Sequence, residues 1–514
     1  MIDFPTIDYI IKIYVPDLKK NFKYVKMDLF HEAFIHKSYA DKHNINSYDQ
    51  LEFLGDSVYH FVLTEYLLDR YSEEDDGFIT KLRIGLEKGE SMAELTKILG
   101  INRFIQLYDT KMNNHILEDV FEAFIGAFYL NFGLDVTRIL IRSLIERHKD
   151  FSKLIECDEN YKDILLRYFH QMKWGNPEYD NTRNKTHCIS VVRTPDGKLL
   201  GKGIDSIKKK AEQKASENCL INLKVIIDGK IDHDWINNIE KPEELEDNDD
   251  KKNKNRLPIF NPKNILIKKT DIRNLLTKYD VILPKTTKFK MDTFIEAMTH
   301  KSYTKRKGLT EEEKKEGIGC VPLQKKANEK LRWLGDSIIH FILSEHIYNR
   351  YKEKGEGPMT ILRTKLENKN AIYTISRRSD VYKYVLINRT IETINERNNV
   401  SIIGGGFESF IAAIYKELGI EYAREYFLSI IQKEIDIDSV LEKNTNYKDL
   451  ITSYFNKLQG NKIEYRIIRE EGPDHAKKFI VGIYLNNKLA GKGKASSKKS
   501  AEQIAARMLY NNLK

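Results

Sequence analysis

The chain is expected to fold as several domains: two all-α blocks alternating with two small α+β blocks of α–β–β–β–α order. Three observations lead there. At 514 residues it is too long for a single core. A set of segments occurs twice in the same order. A net charge of +9 is unevenly spread along it.

The repeat sets the boundaries. AFIHKSYA at 33–40 returns as AMTHKSYT at 297–304, and LEFLGDSVYHFVLTEYLLDRY at 51–71 as LRWLGDSIIHFILSEHIYNRY at 331–351. GFITKLRIGLEK at 77–88 returns as GPMTILRTKLEN at 357–368, and VFEAFIGAFY at 120–129 as GFESFIAAIY at 406–415. NYKDILLRYF at 160–169 matches NYKDLITSYF at 446–455, and GKGIDSIKKKAEQ at 201–213 matches GKGKASSKKSAEQ at 491–503. The helical blocks are then residues 1–150 and 263–438, and the α+β blocks 155–225 and 442–514. Residues 226–262 form a linker whose stretch 240–255 is charged and without aromatics.

In the first helical block Leu51, Leu54, Val58, Phe61, Val62 and Leu68 keep a helical period with few glycines or prolines between them. The next block reads differently. A short helix over 160–172 precedes alternating HCISVVRT with His187 in the strand, a turn at Pro195-Asp196-Gly197, another strand, and a final helix from near Ser206.

Hydrophobic residues make up 41% and charged residues 31%, enough apolar material for ordinary cores. With no unbroken apolar stretch of about 18 residues, no transmembrane helix and no membrane partner are expected. The opening MIDFPTIDYIIKIYVPDLKK is too acidic and interrupted for a secretory signal. Cys157, Cys188, Cys219 and Cys320 show no CxxC pairing, so an intracellular, reducing location (cytoplasm or nucleus) is expected, without zinc or disulfides. Residues 160–225 hold 13 Lys/Arg against 7 Asp/Glu, and residues 443–514 hold 15 against 6, leaving the helical blocks acidic. Basic blocks suit a polyanion; acidic ones suit a divalent cation.

Glu52 and Asp56 are spaced i, i+4 on one helix face, and Asp119 and Glu122 i, i+3 on a second predicted helix. Such pairs are most often solvated surface. These sit among Leu51, Phe53, Leu54, Val120, Phe121 and Phe124, where an uncompensated carboxylate is costly. Two pairs on facing helices make an oxygen cage for Mg²⁺, which can activate water and stabilise a pentacovalent phosphate. Pairing with lysine or arginine is the alternative.

LEFLGDSV, with HKSY before it and DVFEAFIGA after it, resembles the ribonuclease III family over nearly the whole chain. The resemblance implies an endoribonuclease that cleaves double-stranded RNA with Mg²⁺ (Mn²⁺ a substitute), leaving 5′-phosphate and 3′-hydroxyl ends. It implies that Glu52, Asp56, Asp119 and Glu122 are the catalytic metal ligands, with Asp49 supporting them. It further implies paired nuclease domains, either within one chain or as a homodimer. Phe53 and Trp333 stand where the family packs across that interface; filling its own core is each residue's alternative.

The second helical block departs from the pattern. It keeps Glu329, Asp336 and Glu408, but Arg332 stands at the position of Glu52 and Gly405 at that of Asp119. A guanidinium reverses the electrostatics of a metal site, so this block is expected to be non-catalytic. Arg332 is expected to pair with Asp336 or Glu408.

Each basic block resembles a double-stranded-RNA-binding domain, which reads A-form shape rather than bases. The resemblance implies phosphate contacts at Lys208 and Lys209, and at Lys498 and Lys499, where helix N-terminal amides also favour anions. GPDHAKKF (472–479) is similar to the family loop that enters a minor groove, here through His475; the first block lacks GP. The rival reading of the whole chain is a non-catalytic protein that binds or sequesters duplex RNA on the same scaffold.

Overall fold

The computed structural model describes residues 1–16, 25–74, 76–151, 154, 161–172, 174–183, 187–194, 197–227, 230–231, 259–306, 309–435, 437, 447–457, 463–471, 477–495 and 497–513. The predicted polar stretch 240–255, Cys157, the Pro195-Asp196 part of the predicted turn, and His475 lie outside them. The chain divides into two units, Met1–Ser429 and Ile430–Lys514.

The first helical region comprises α1 (Phe4–Tyr14), α2 (Met27–Glu32), α3 (Lys37–His43), α4 (Asp49–Arg70), α5 (Asp76–Leu86), α6 (Gly89–Ile98) and α7 (Asn114–His148). The HKSY segment is a capping device. His36 precedes α3 and accepts from the Ser38 amide, and Ser38 Oγ accepts from Tyr108 N–H at 3.1 Å. Its copy does the same, with His300 accepting from Ser302 and Ser302 Oγ from Asn388 N–H. The α7 run is broken at Gly133, where φ is 78°. By length and composition alone this run could cross a membrane, which the sequence reading did not expect. Its acids Asp119 and Glu122 interrupt the apolar run, yet most of its length is buried in the core.

Helices α4 and α7 pack together and carry the candidate acids. Gly55 makes the approach possible: a Cβ there would lie 1.8 Å from the Glu122 carbonyl oxygen. The motif glycine therefore allows the two backbones to touch at the level of Asp56 and Glu122.

An α–β–β–β–α segment follows, made of α8 (Tyr161–Gln171), antiparallel β1 (Tyr179–Arg183), β2 (Cys188–Arg193) and β3 (Leu199–Asp205), and α9 (Lys208–Asn222). Leu165, Phe169, Val192, Ala215 and Cys219 form its core. His187 lies just before β2 rather than in it, and α9 starts at Lys208, because Asp205 accepts from Ile207 N–H and holds a turn at Ser206. A two-residue ribbon, β4 (Ile226–Ile227) with β5 (Lys230–Ile231), comes next. Among the described residues Cys188, Cys219 and Cys320 are free thiols.

The second helical region has α10 (Lys269–Thr277), α11 (Met291–Ala297), α12 (Glu311–Glu316), α13 (Glu329–Tyr351), α14 (Glu356–Glu367), α15 (Lys369–Arg378), α16 (Arg389–Thr393), α17 (Val400–Leu418) and α18 (Ile420–Glu434). It repeats the first region's devices. Gly335 meets the Glu408 carbonyl as Gly55 meets that of Glu122, and Gly419 (φ 97°) breaks the helical run as Gly133 does.

Helices α4 and α13 pack against each other, so the two nuclease-like regions pair within the chain. At the centre Phe61 and Phe341 stack, with centroids 5.3 Å apart and planes at 13°. Three kinds of flanking contact occur twice. Arg138 Nε donates to Glu65 and Arg424 Nε to Glu345, both at 2.8 Å. Tyr415 Oη donates to Glu65 and Tyr129 Oη to Glu345. Arg363 lies 4.5 Å over Phe53, and Arg83 4.6 Å over Trp333. Both motif aromatics thus pack across the interface, as the family resemblance implied.

The second unit contains α19 (Tyr447–Lys457), antiparallel β6 (Ile463–Glu471), β7 (Lys478–Leu485) and β8 (Lys488–Ala495), and α20 (Lys498–Leu513). Ile451, Ile483, Ala505 and Leu509 are the heart of its core.

Gly55→Ala forces a methyl into the Glu122 backbone, so overpacking on the order of 1–3 kcal/mol or more is expected. Denaturant unfolding followed by circular dichroism measures it; an unchanged midpoint would refute the close helix crossing.

Candidate active site

Asp49 opens α4, one turn before Glu52, and both acids favour the positive end of that helix. The α4–α7 crossing brings Glu52 and Asp56 opposite Asp119 and Glu122, and every one of these acids influences another's ionisation. Burial and then the charge of Asp119 push Glu52 up to about 9. Burial, with Asp56 and Glu52 beyond it, drives Glu122 well above the ordinary carboxylate range. Asp119 is pushed up to about 6 by burial, with Tyr48 and His115 working against the shift. Tyr48 Oη donates to Asp119 Oδ2 at 2.9 Å, and His115 Nδ1 lies 3.0 Å from Oδ1.

Asp56 behaves oppositely. Burial disfavours its charge, but His340 and Arg363 of the second nuclease-like region outweigh that and hold it below the usual range. His340 Nε2 is 3.7 Å and an Arg363 nitrogen 3.6 Å from Asp56 Oδ2.

The group of ligand atoms that closes to within 4.8 Å among the described residues is His115, Glu118 and Asp119. No three of the predicted four acids come that close together. The carboxylates of Glu52 and Glu122 have no ion pair or hydrogen bond among the described residues, although both residues are partly buried in a negative field. A cluster of hard oxygen donors, with two acids lacking a protein partner, fits a divalent cation and is poorly served without one.

The copy of this site is closed. Arg332 Nε donates to Glu408 Oε2 at 2.9 Å, which decides between the two expected partners. Gly405 makes this possible, since a Cβ there would fall 2.9 Å from Arg332 Cδ. Asp336 is exposed. Asn328 stands where Tyr48 stands in the first region and donates instead to the Ala297 carbonyl. The Asp119 position and its hydrogen-bond partner have changed together.

Of the predicted phosphate contacts, Lys208 opens α9, about two-thirds exposed and 3.8 Å from Glu212. Lys209 follows it in the helix, its side chain outside the described residues. Lys498 and Lys499 open α20 and are exposed, beside Ser497, whose Oγ accepts from Ser500 N–H.

The Ribonuclease-III-like family matches residues 26–148 and 291–435, and the Double-stranded RNA binding motif matches 161–223 and 447–513. A "Probable ribonuclease 3" of Acanthamoeba polyphaga mimivirus is 49% identical over 100% of this chain and 97% of that protein. The chain belongs to the ribonuclease III family. It is a ribonuclease III-type endoribonuclease with two nuclease-like and two RNA-binding regions. Ribonuclease 3 of Clostridium beijerinckii is 33% identical over 36% of this chain and 80% of its own length. The nuclease domain of ribonuclease III from Campylobacter jejuni matches 32% of this chain and 98% of its own at 23% identity, with a TM-score of 0.26.

Five residues of this ribonuclease III site carry no expectation from the sequence. Tyr48 was detectable, because it differs from Asn328 in the aligned repeat. His115 lies one turn before Asp119 and was detectable by spacing alone. Glu356, at the start of α14, raises Glu52 from across the interface, as His340 and Arg363 lower Asp56. These cross-interface residues carry no local signal.

The raised acids set the sign of a pH dependence. A carboxyl whose folded value is raised keeps a proton that the unfolded chain releases, so stability falls as pH rises from about 5 towards about 9. In EDTA the melting temperature is expected to be lower at pH 8.5 than at pH 6. Glu122→Gln, or saturating Mg²⁺ on the unaltered protein, should shrink that difference. Equal pH dependence in all three samples would contradict an uncompensated acid cluster.

Proposed function

We propose that the chain hydrolyses double-stranded RNA at its first nuclease region, in an Mg²⁺-dependent reaction leaving 5′-phosphate and 3′-hydroxyl ends. The second nuclease region is a non-catalytic partner. The contrast between the two sites carries this reading: Glu52 and Glu122 have no partner among the described residues, while Glu408 is already occupied by Arg332.

Glu52, Asp56, Asp119 and Glu122 are the residues that would hold the cation, and Tyr48 orients Asp119 towards them. Asp49 adds negative charge at the entrance to α4. When bound, Mg²⁺, or Mn²⁺ in its place, supplies a lowered water pKa and positive charge against the phosphate. Glu52 and Glu122 must give up their protons to serve as ligands, so cation affinity is expected to rise with pH.

Duplex RNA is held by the basic regions, through Lys208, Lys209, Lys498 and Lys499, with His475 in a minor groove. These contacts are to backbone and shape and so are sequence-tolerant. Because the nuclease regions pair inside one chain, a duplex lying across them meets one working and one disabled site.

Glu122→Ala is expected to abolish Mg²⁺-dependent cleavage of a long duplex while leaving its binding, measured by gel shift, nearly intact. Glu408→Ala is expected to change cleavage little. Comparable losses from the two substitutions would overturn the assignment of catalysis to the first region.

A further inference from the structure

The interface is built from mirrored residues, and one mirrored set is used on one side only. His340 and Arg363 of the second nuclease region correspond to His60 and Arg83 of the first, and Glu367 corresponds to Glu87. Each histidine turns Nδ1 to its glutamate, His340 to Glu367 at 2.9 Å and His60 to Glu87 at 2.8 Å. Each arginine lies over the motif aromatic of the opposite region, Arg363 over Phe53 and Arg83 over Trp333. These shared features maintain the interface.

The difference lies in what else they reach. His340 and Arg363 both come within ion-pair distance of Asp56. Among the described residues no ion pair joins His60 or Arg83 to Asp336, the counterpart of Asp56; Arg83 is 3.2 Å from His60 instead. Only the side that faces the intact acids has its aspartate held from across the interface.

We propose that His340 and Arg363 are positioning residues for the metal site of the opposite nuclease region. They orient the Asp56 carboxylate from across the interface, so that the disabled region completes the working one. Arg363 is itself fixed, by its stacking on Phe53 and by a bond from Nη1 to Ser344 Oγ at 3.0 Å. His340 is fixed by Glu367. The pair therefore presents a preset positive edge to Asp56, and contacts of this kind behind a ligand typically change metal affinity 10–100-fold. The inference rests on the proposed metal role of Asp56.

The mirror supplies the control. Arg363→Gln and Arg83→Gln each remove one cation stacked on an aromatic at the same interface, but only the first removes a neighbour of Asp56. Mn²⁺ binding to the full chain, without RNA, is measured by electron paramagnetic resonance, alongside the Mg²⁺ concentration giving half-maximal cleavage. Arg363→Gln is expected to weaken Mn²⁺ binding about 10-fold or more and to raise the Mg²⁺ midpoint. Arg83→Gln should change neither, and Arg363→Lys should recover part of the loss. If Arg363→Gln does not fold, His340→Asn against His60→Asn makes the same comparison, since asparagine can keep the bond to the glutamate. Equal effects of the mirrored substitutions, no effect of either, or tighter Mn²⁺ binding in Arg363→Gln would each overturn the proposal. Asp56→Asn separates the two levels of the argument. If it leaves Mn²⁺ binding unchanged, the metal role of Asp56 itself fails; if it weakens binding while the mirrored pairs do not differ, only the cross-interface role fails.

Discussion

The stack of Phe61 on Phe341 is the contact around which the nuclease half is arranged. It fixes α4 against α13 with their ring planes 13° apart, and the Glu65 and Glu345 clusters on either side hold the rotation. Both carboxylates are largely buried, so each needs the arginine and tyrosine that converge on it; losing one partner would leave a desolvated charge. Because α4 and α13 also carry the signature acids and their replacements, the same contact that closes the interface sets the two sites in fixed register.

Within that frame the two sites have followed different electrostatic solutions to one problem, a carboxylate packed against a helix crossing. The first leaves Glu52 and Glu122 without a protein cation, so its charge is balanced by protons or by a metal. The second supplies Arg332 from within. That replacement depends on others: Gly405 clears the space, and Asn328 gives up the tyrosine hydroxyl that has no aspartate left to hold. Together Arg332, Gly405 and Asn328 leave an internal ion pair where the first region has an open acid cluster, while burial still keeps Glu408 above its ordinary range.

Much of this was legible in the residues. The acids of LEFLGDS and DVFEAF are local spacings, and the structure places them on facing helices where Gly55 allows the backbones to touch. The tandem order, the α–β–β–β–α strand pattern and the loss of Glu52 and Asp119 equivalents in the copy were all visible by aligning the chain with itself. What was hidden depends on relative placement. Asp56 and His340 are hundreds of residues apart and meet only once α4 and α13 are docked. The choice of Glu408 over Asp336 by Arg332 likewise depends on which carboxylate lies across the helix crossing rather than along the same helix. In α7 the fold buries Asp119 along with its apolar neighbours, a placement that the spacing of the acids alone does not give.

The central claim is that one chain presents one working and one disabled nuclease site to a duplex. The most direct measurement is a time course on a hairpin duplex labelled separately on each strand, with the sedimentation of the active species recorded under the same conditions. The account predicts nicks in a single strand per binding event, made by a single chain. Simultaneous staggered cuts in both strands by an assembly of two chains would contradict it.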